Sequence, residues 1–230
     1  MMKEKKTGQN YKTYWDRHWR KNRESLFGKL GGIYRKNIMA GALSYYFEHY
    51  FPKKGVFAEA GSGTSQTSVR IIKHRRKLVA VDISRHALKE AAKIPQIDEV
   101  VQADIFHLPF RNERVDGIWN LGVFEHFTPE QDARILAEFR RVLKKNAPII
   151  IFWPPKYSLN GIIFRVIEFF INIFRIGKKP FRFYPDEINK PTSMKQTKKF
   201  FEKNGFREVK IFFPWRNAFG DFVIVAKKKK

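Results

Sequence analysis

The sequence predicts an α/β protein built around a parallel sheet. Three observations carry that expectation. Between about residues 55 and 152, short apolar runs alternate with longer amphipathic segments; the runs are bounded by turn residues; and the first of them leads into the glycine turn Gly61-Ser62-Gly63. Alternation of this kind marks βαβ units, whose strands are covered on both faces and so read as nearly continuous apolar stretches.

Taken in order, residues 1–50 read as two helices around a glycine-rich break, Gly28 to Gly32. In the first, Tyr11, Tyr14, Trp15, His18 and Trp19 recur at three- to four-residue spacing. They form one aromatic stripe, suited to core packing or to covering a ligand pocket. Five strands follow, at Val56 to Ala60, Lys77 to Val81, Glu99 to Ala103, Val115 to Asn120 and Ala147 to Trp153. Helices are expected between them at Thr64 to His74, Ser84 to Ala92 and Pro129 to Leu143. The last has proline in its first turn, with Ile135, Leu136, Phe139, Val142 and Leu143 on one face. After the fifth strand, residues 154–190 interrupt the alternation as an insertion. Ser193 to Lys203 then reads as a helix ending at a left-handed Asn204-Gly205 cap, followed by two closing strands.

Composition bounds the chemistry. The chain has 230 residues, with 46 Lys+Arg against 22 Asp+Glu, for a formal net charge of +24. At 43% hydrophobic residues, including 23 Phe, it can build a packed core, so the charge is not that of a disordered tail. It calls for an anionic partner: nucleic acid, an acidic membrane surface, or an acidic substrate. The absence of cysteine excludes disulfides, thiolate metal sites and a cysteine nucleophile. No signal-peptide core precedes the domain and no apolar run reaches about 18 residues, so a cytoplasmic protein is expected.

Three successive strand ends carry carboxylates: Glu59, Asp82 and Asp104. Asp82 lies 21 residues beyond Gly61, where an acidic side chain accepts from ribose hydroxyls, and Asp104 is placed to accept from an adenine amino group. A dinucleotide turn would have glycine where Gln66 stands, and Glu59 would repel a pyrophosphate. A carboxylate there suits a ligand bearing an ammonium and a sulfonium, which is S-adenosylmethionine.

The stretches FAEAGSGTSQTS, KLVAVDIS, VVQADIFHLPF, RVDGIWNLGVFEHF and ILAEFRRVLKK, in that order, resemble the class I S-adenosylmethionine-dependent methyltransferases, in particular the type 11 small-molecule group. The resemblance implies a Rossmann-like, doubly wound, mostly parallel seven-stranded sheet whose last strand is reversed. It implies that Glu59, Ala60, Gly61, Ser62 and Gly63 surround the methionine part, and that Asp82 and Ile83 meet the ribose and adenine. Asp104 and Ile105 take the adenine edge, Asn120, Leu121 and Gly122 floor the pocket, and the leading helix closes it, with Tyr14 or Trp15 nearest. The sequence departs from the family at Ser65, where a third glycine is usual, and at Lys145-Asn146-Ala147, which replaces a Pro-Gly-Gly turn. No metal is expected, and S-adenosylhomocysteine would be the product.

Methyl transfer from a sulfonium needs few catalytic groups. For a hydroxyl acceptor His126, or less directly Glu125, is the candidate base. The expected organisation is a helical cap over residues 1–50 and a methyltransferase domain over 51–230, with residues 154–190 as lid or insertion. Within the insertion, GIIFRVIEFFINIFRI (161–176) is polar only at Arg165, Glu168, Asn172 and Arg175, which fall within about 80° of a helix circumference. At about 24 Å it is too short to span a bilayer. It could be buried in the protein or in a homodimer, cover a lipophilic acceptor, or lie on a membrane whose anionic headgroups meet Lys156, Lys178, Lys179 and Arg182. A small, lipophilic or membrane-associated acceptor is the expectation. Two alternatives stand beside it: RNA methylation through the basic surface, and a non-catalytic partner subunit. Against nucleic acid, Asn120-Leu121-Gly122-Val123 stands where exocyclic-amine methyltransferases resemble one another in an Asn-Pro-Pro-Tyr type motif.

Overall fold

A computed structural model describes residues 8–24, 31–175, 187–217 and 220–229. Seven strands form one sheet: β1 (Lys54–Ala60), β2 (Arg75–Asp82), β3 (Glu99–Gln102), β4 (Gly117–Leu121), β5 (Pro148–Trp153), β6 (Phe206–Phe212) and β7 (Phe222–Lys228). Their order is β3-β2-β1-β4-β5-β7-β6; β1 to β5 run parallel, and β7 lies antiparallel to both neighbours. This is the doubly wound, Rossmann-like architecture with a reversed final strand.

Strand pleating sorts successive side chains to opposite faces. Ala58, Val79, Ile118, Ile149 and Ile151 point to one side and pack with Ile135, Leu136 and Phe139 of α4 (Pro129–Val142) and Phe201 of α6 (Met194–Lys203). Phe57, Leu78, Trp119, Ile150 and Phe152 point to the other, against Leu43, Tyr46 and Phe47 of α2, which spans residues 31–50 with a π-helical turn at Arg35–Met39. The buried Arg76 guanidinium bonds the Pro52 and Phe51 carbonyls and pairs with Glu48, tying the end of α2 to β2. Short α3 (Arg85–Ala91) covers Ala80 through Leu88 and Ala91.

Side-chain caps set the helix starts. Thr128 and Gln131 form a reciprocal capping box before Pro129, and Ser84, Ser158 and Ser193 each accept from a first-turn amide. Each is worth about 1 kcal/mol. Gly205 has φ +84 at the end of α6, as the cap pattern predicts, and Asn146 takes φ +63 in the turn before β5, supplying the left-handed residue that the family's glycine would provide.

Two expectations need correction. The helix expected over Thr64 to His74 is only a 3-10 turn, Gln66–Arg70, and β2 begins at Arg75. Left-handed Ser65 at φ +50 and extended Ile71 bound the turn, and the Thr67 and Ser68 hydroxyls within it bond buried Glu59. The insertion helix α5 runs Leu159–Ile173, earlier than the expected 161–176, with residue 176 outside the described residues. It is not buried within the protein: Ile162, Ile163, Val166, Phe169 and Phe170 are all exposed. Residues 28–30 of the expected glycine break also lie outside the described residues, whereas Gly31 and Gly32 begin α2. Two of the C-terminal lysines belong to β7, where Lys228 Nζ donates to Glu113 at 3.0 Å and to the Leu143 carbonyl at 2.7 Å. Among the described residues, no helix is long and apolar enough to cross a membrane.

Candidate methyl-donor site

At the carboxyl edge of the parallel strands lies an open cleft. Its floor is the glycine turn. The amides of Gly61 and Ser62 donate to the Val81 carbonyl at 2.8 and 3.0 Å, folding the chain back over β2. Gly61 has φ +70, and a Cβ there would lie 2.7 Å from Val123. Gly63 has φ +52, and a Cβ would fall 2.5 Å from the Trp19 ring. Glycine at both positions is therefore a requirement of backbone conformation and close approach.

Asp82 and Asp104 line the cleft side by side on neighbouring strand ends. Asp82 accepts from the amides of Gly63 and Ser84, both at 2.8 Å. Burial pushes its carboxyl up to about 6, against the two amides that favour the anion. Asp104 accepts from the Phe106 amide at 3.0 Å, and Ile83 and Ile105 complete an apolar slot between them. Gly122 and Val123 close the side under β4.

Other residues singled out in the sequence stand behind this surface. Glu59 is buried below the turn, its oxygens taken by Ser68 at 3.0 Å and Thr67 at 3.5 Å, and burial raises it to about 7. Asn120 is fully buried and donates to the Ala60 carbonyl, bracing the turn from β4, while its Oδ1 has no hydrogen-bond partner. Ala60, Ser62, Leu121 and Tyr14 likewise do not line the cleft.

The roof is helix α1 (Gly8–Glu24). Tyr11, Trp15 and Trp19 project from it into the cleft. Polar contacts hold it: Ser84 Oγ and the His86 amide donate to Asp16 at 2.6 and 3.4 Å, and Gln131 donates to the Tyr11 hydroxyl at 3.3 Å. The Trp15 ring meets His126 edge-on, with centroids 5.0 Å apart, and Tyr11 meets Phe127 at 5.7 Å. Asp16, Phe106 and Phe127 carry no site signal in the sequence, whereas Trp19 belongs to the aromatic stripe of α1. Gly63 was a further signal for Trp19, since a glycine there leaves room for a large neighbour.

His126 lines the cleft from the 3-10 turn Phe124–His126. Glu125 beside it is buried, with Oε1 3.9 Å from His126 Nε2 and Oε2 unpartnered; burial, with Asp221 and Glu187 nearby, raises it well above the ordinary carboxylate range. The chain returning from the insertion docks here: the Ile188 and Asn189 amides donate to the Glu125 carbonyl, and Asn189 donates to Asp132 at 2.7 Å. Among the described residues no group of His, Asp and Glu is placed to hold a metal ion.

A family model described as a methyltransferase domain matches residues 58–151, from within β1 to within β5. The chain carries a class I S-adenosylmethionine-dependent methyltransferase domain. Solved structures agree with the fold. A methyltransferase from Thermotoga maritima, described as a possible histamine N-methyltransferase, is 18% identical over 91% of this chain and 97% of its own, with a TM-score of 0.64. One from Archaeoglobus fulgidus is 21% identical over 84% and 94%, TM-score 0.63. Magnesium protoporphyrin IX methyltransferase from Synechocystis, solved with bound S-adenosylhomocysteine, is 14% identical over 97% and 100%, TM-score 0.63. No curated protein matches. S-adenosylmethionine is the cofactor of this methyltransferase, and the cleft fits it: paired carboxylates for hydroxyl and amino donors, an apolar slot for a flat ring, and a turn that admits no Cβ at Gly61 or Gly63.

Proposed function

We propose that this methyltransferase moves the donor methyl to a small lipophilic acceptor entering beside His126, under the aromatic roof of α1. The observation that carries the reading is the lining of the cleft around His126: Trp15, Val123 and Phe127, with His126 as the polar group among them. Such a wall favours an apolar body and offers one polar contact to orient it.

The donor supplies a methyl already activated on a sulfonium. The protein's share is alignment and exclusion of water. Asp82 accepts from the ribose hydroxyls, and Asp104 with Ile83 and Ile105 holds the adenine. Gly61 and Gly122 bring backbone close to the methionine part. Glu59 and Asn120 act one layer below, keeping the turn in place through Ser68 and the Ala60 carbonyl. Trp15 and Trp19 close the roof, and His126 takes the acceptor proton.

His126→Ala should leave S-adenosylhomocysteine affinity within about twofold and lower turnover on an oxygen acceptor by 10²–10⁴-fold. Unchanged turnover on the true acceptor removes the base assignment. The acceptor class is tested by incubating the enzyme with methyl-labelled donor and a cell extract, then partitioning the products. Label in the organic phase is the expected result; label in RNA or protein overturns the lipophilic reading.

A further inference from the structure

Helix α5 has its polarity turned inside out. On a helix resting against a soluble protein, apolar residues face the body and charged residues face water. Here Glu168, Asn172 and Arg175 are partly covered, together with Ile171, while Arg165 is exposed. Ile162, Val166, Phe169, Phe170 and Ile173 are 46–64% exposed, and Phe174 just beyond the helix is 87% exposed. At 100° per residue these apolar side chains sweep one continuous face opposite Glu168 and Arg175. An exposed apolar face of this size marks an interaction surface.

The charges around it select the occupant. Lys156 and Arg165 are exposed, and Lys156 lies over the ring of Tyr157, itself 69% exposed, at the start of the helix. Lys178, Lys179 and Arg182 follow in sequence, outside the described residues. Glu168 is the helix's one acidic residue, and it turns inward. A second copy would bring two such basic rims together on chains of net charge +24. A nucleic acid would satisfy the rim but set phosphates against Ile, Val and Phe. A bilayer with anionic headgroups presents hydrocarbon to the face and negative charge to the rim. Helix α5 also leaves β5 at the carboxyl edge of the sheet, the edge on which the donor cleft opens.

We propose that α5 is an in-plane membrane anchor that seats this enzyme on an anionic lipid surface, apolar face down. The proposal deepens the lipophilic-acceptor reading by naming the surface that presents the acceptor, and it depends on that reading only for why the enzyme docks. The anchor lies parallel to the membrane, since α5 is too short to span it.

The test is flotation of the full-length protein with phosphatidylcholine vesicles containing or lacking phosphatidylglycerol, in low and high salt. Binding is expected only with phosphatidylglycerol, weakened by salt. Phe169→Ser/Phe170→Ser should reduce it on the order of tenfold or more, with S-adenosylhomocysteine binding by calorimetry unchanged. A Phe170→Trp variant should gain a blue-shifted emission component on anionic vesicles. No flotation, flotation indifferent to the double serine variant, or a dimer in light scattering that the double variant dissolves while lipid goes unbound would each overturn the anchor. Flotation uses neither donor nor acceptor, so its failure leaves the methyl-transfer reading standing. Loss of S-adenosylhomocysteine binding in the parent protein would strike that reading instead.

Discussion

Asp82 works under opposing demands: two backbone amides favour its anion and burial favours its acid, with a balance near pH 6. Only the ionised carboxylate accepts from both ribose hydroxyls. S-adenosylhomocysteine affinity should therefore rise as pH increases through about 6. Asp82→Asn should weaken binding about 10- to 100-fold, the worth of hydrogen bonds to a charged acceptor, and flatten the component near pH 6. Calorimetry at a series of pH values checks both. Gly63 supplies a second residue-scale prediction. Gly63→Ala forces a left-handed alanine, costing about 1–2 kcal/mol, and drives its Cβ into Trp19. Combining it with Trp19→Ala should cost less than the sum of the single changes, because the collision disappears while the backbone strain remains. Thermal unfolding of the three variants measures the difference.

Among the elements, α1 is held over the cleft by side-chain contacts that include Asp16 to Ser84 and the His86 amide, Tyr11 to Gln131, Trp19 over Gly63, and ring contacts at His126 and Phe127. Helix α2 belongs instead to the main core, with Leu43 and Phe47 fully buried against the sheet. We infer that residues 1–50 divide by role, α1 closing the cleft and α2 supporting the sheet. Asp16→Ala should then lower S-adenosylhomocysteine affinity severalfold and expose α1 to limited proteolysis, with little change in the melting temperature of the core. Phe47→Ala should instead cost about 3–5 kcal/mol of overall stability. A variant at Asp16 that destabilises the whole fold to the same degree would contradict the division.

For the molecule as a whole, five buried carboxyls among the described residues are raised: Asp82 to about 6, Glu59 and Asp221 to about 7, Asp132 to about 8, and Glu125 well above the ordinary carboxylate range, each mainly by burial. Each holds its proton more tightly folded than unfolded. Their contribution to stability is complete below the ordinary carboxylate range and is lost as pH rises through about 4 to 8. The ligand-free melting temperature should therefore fall across that range by at least about 3 °C. The increment given by S-adenosylhomocysteine should grow over the same range, because its hydroxyls favour ionised Asp82. Scanning calorimetry with and without ligand tests both slopes.

The parallel strands were legible because strands covered on both faces must be apolar, as Val56 to Ala60 and Ala147 to Trp153 are; their order is decided by the packed sheet. Proline and capping residues marked α4 for the same local reason. The acidic residues at three strand ends pointed to a nucleoside donor before any coordinates, because hydrogen-bond donors on ribose and adenine need acceptors at fixed spacing. What the tertiary structure alone decided depends on which neighbour claims a side chain. Glu59 turns from the cleft to Ser68, Trp19 settles over Gly63, and the segment expected as a helix after β1 is a short turn bounded by left-handed Ser65 and extended Ile71. Sequence periodicity showed that α5 had an apolar face and a polar stripe. Only the packed molecule settles which one meets solvent, because that is decided by the protein surface on which the helix rests.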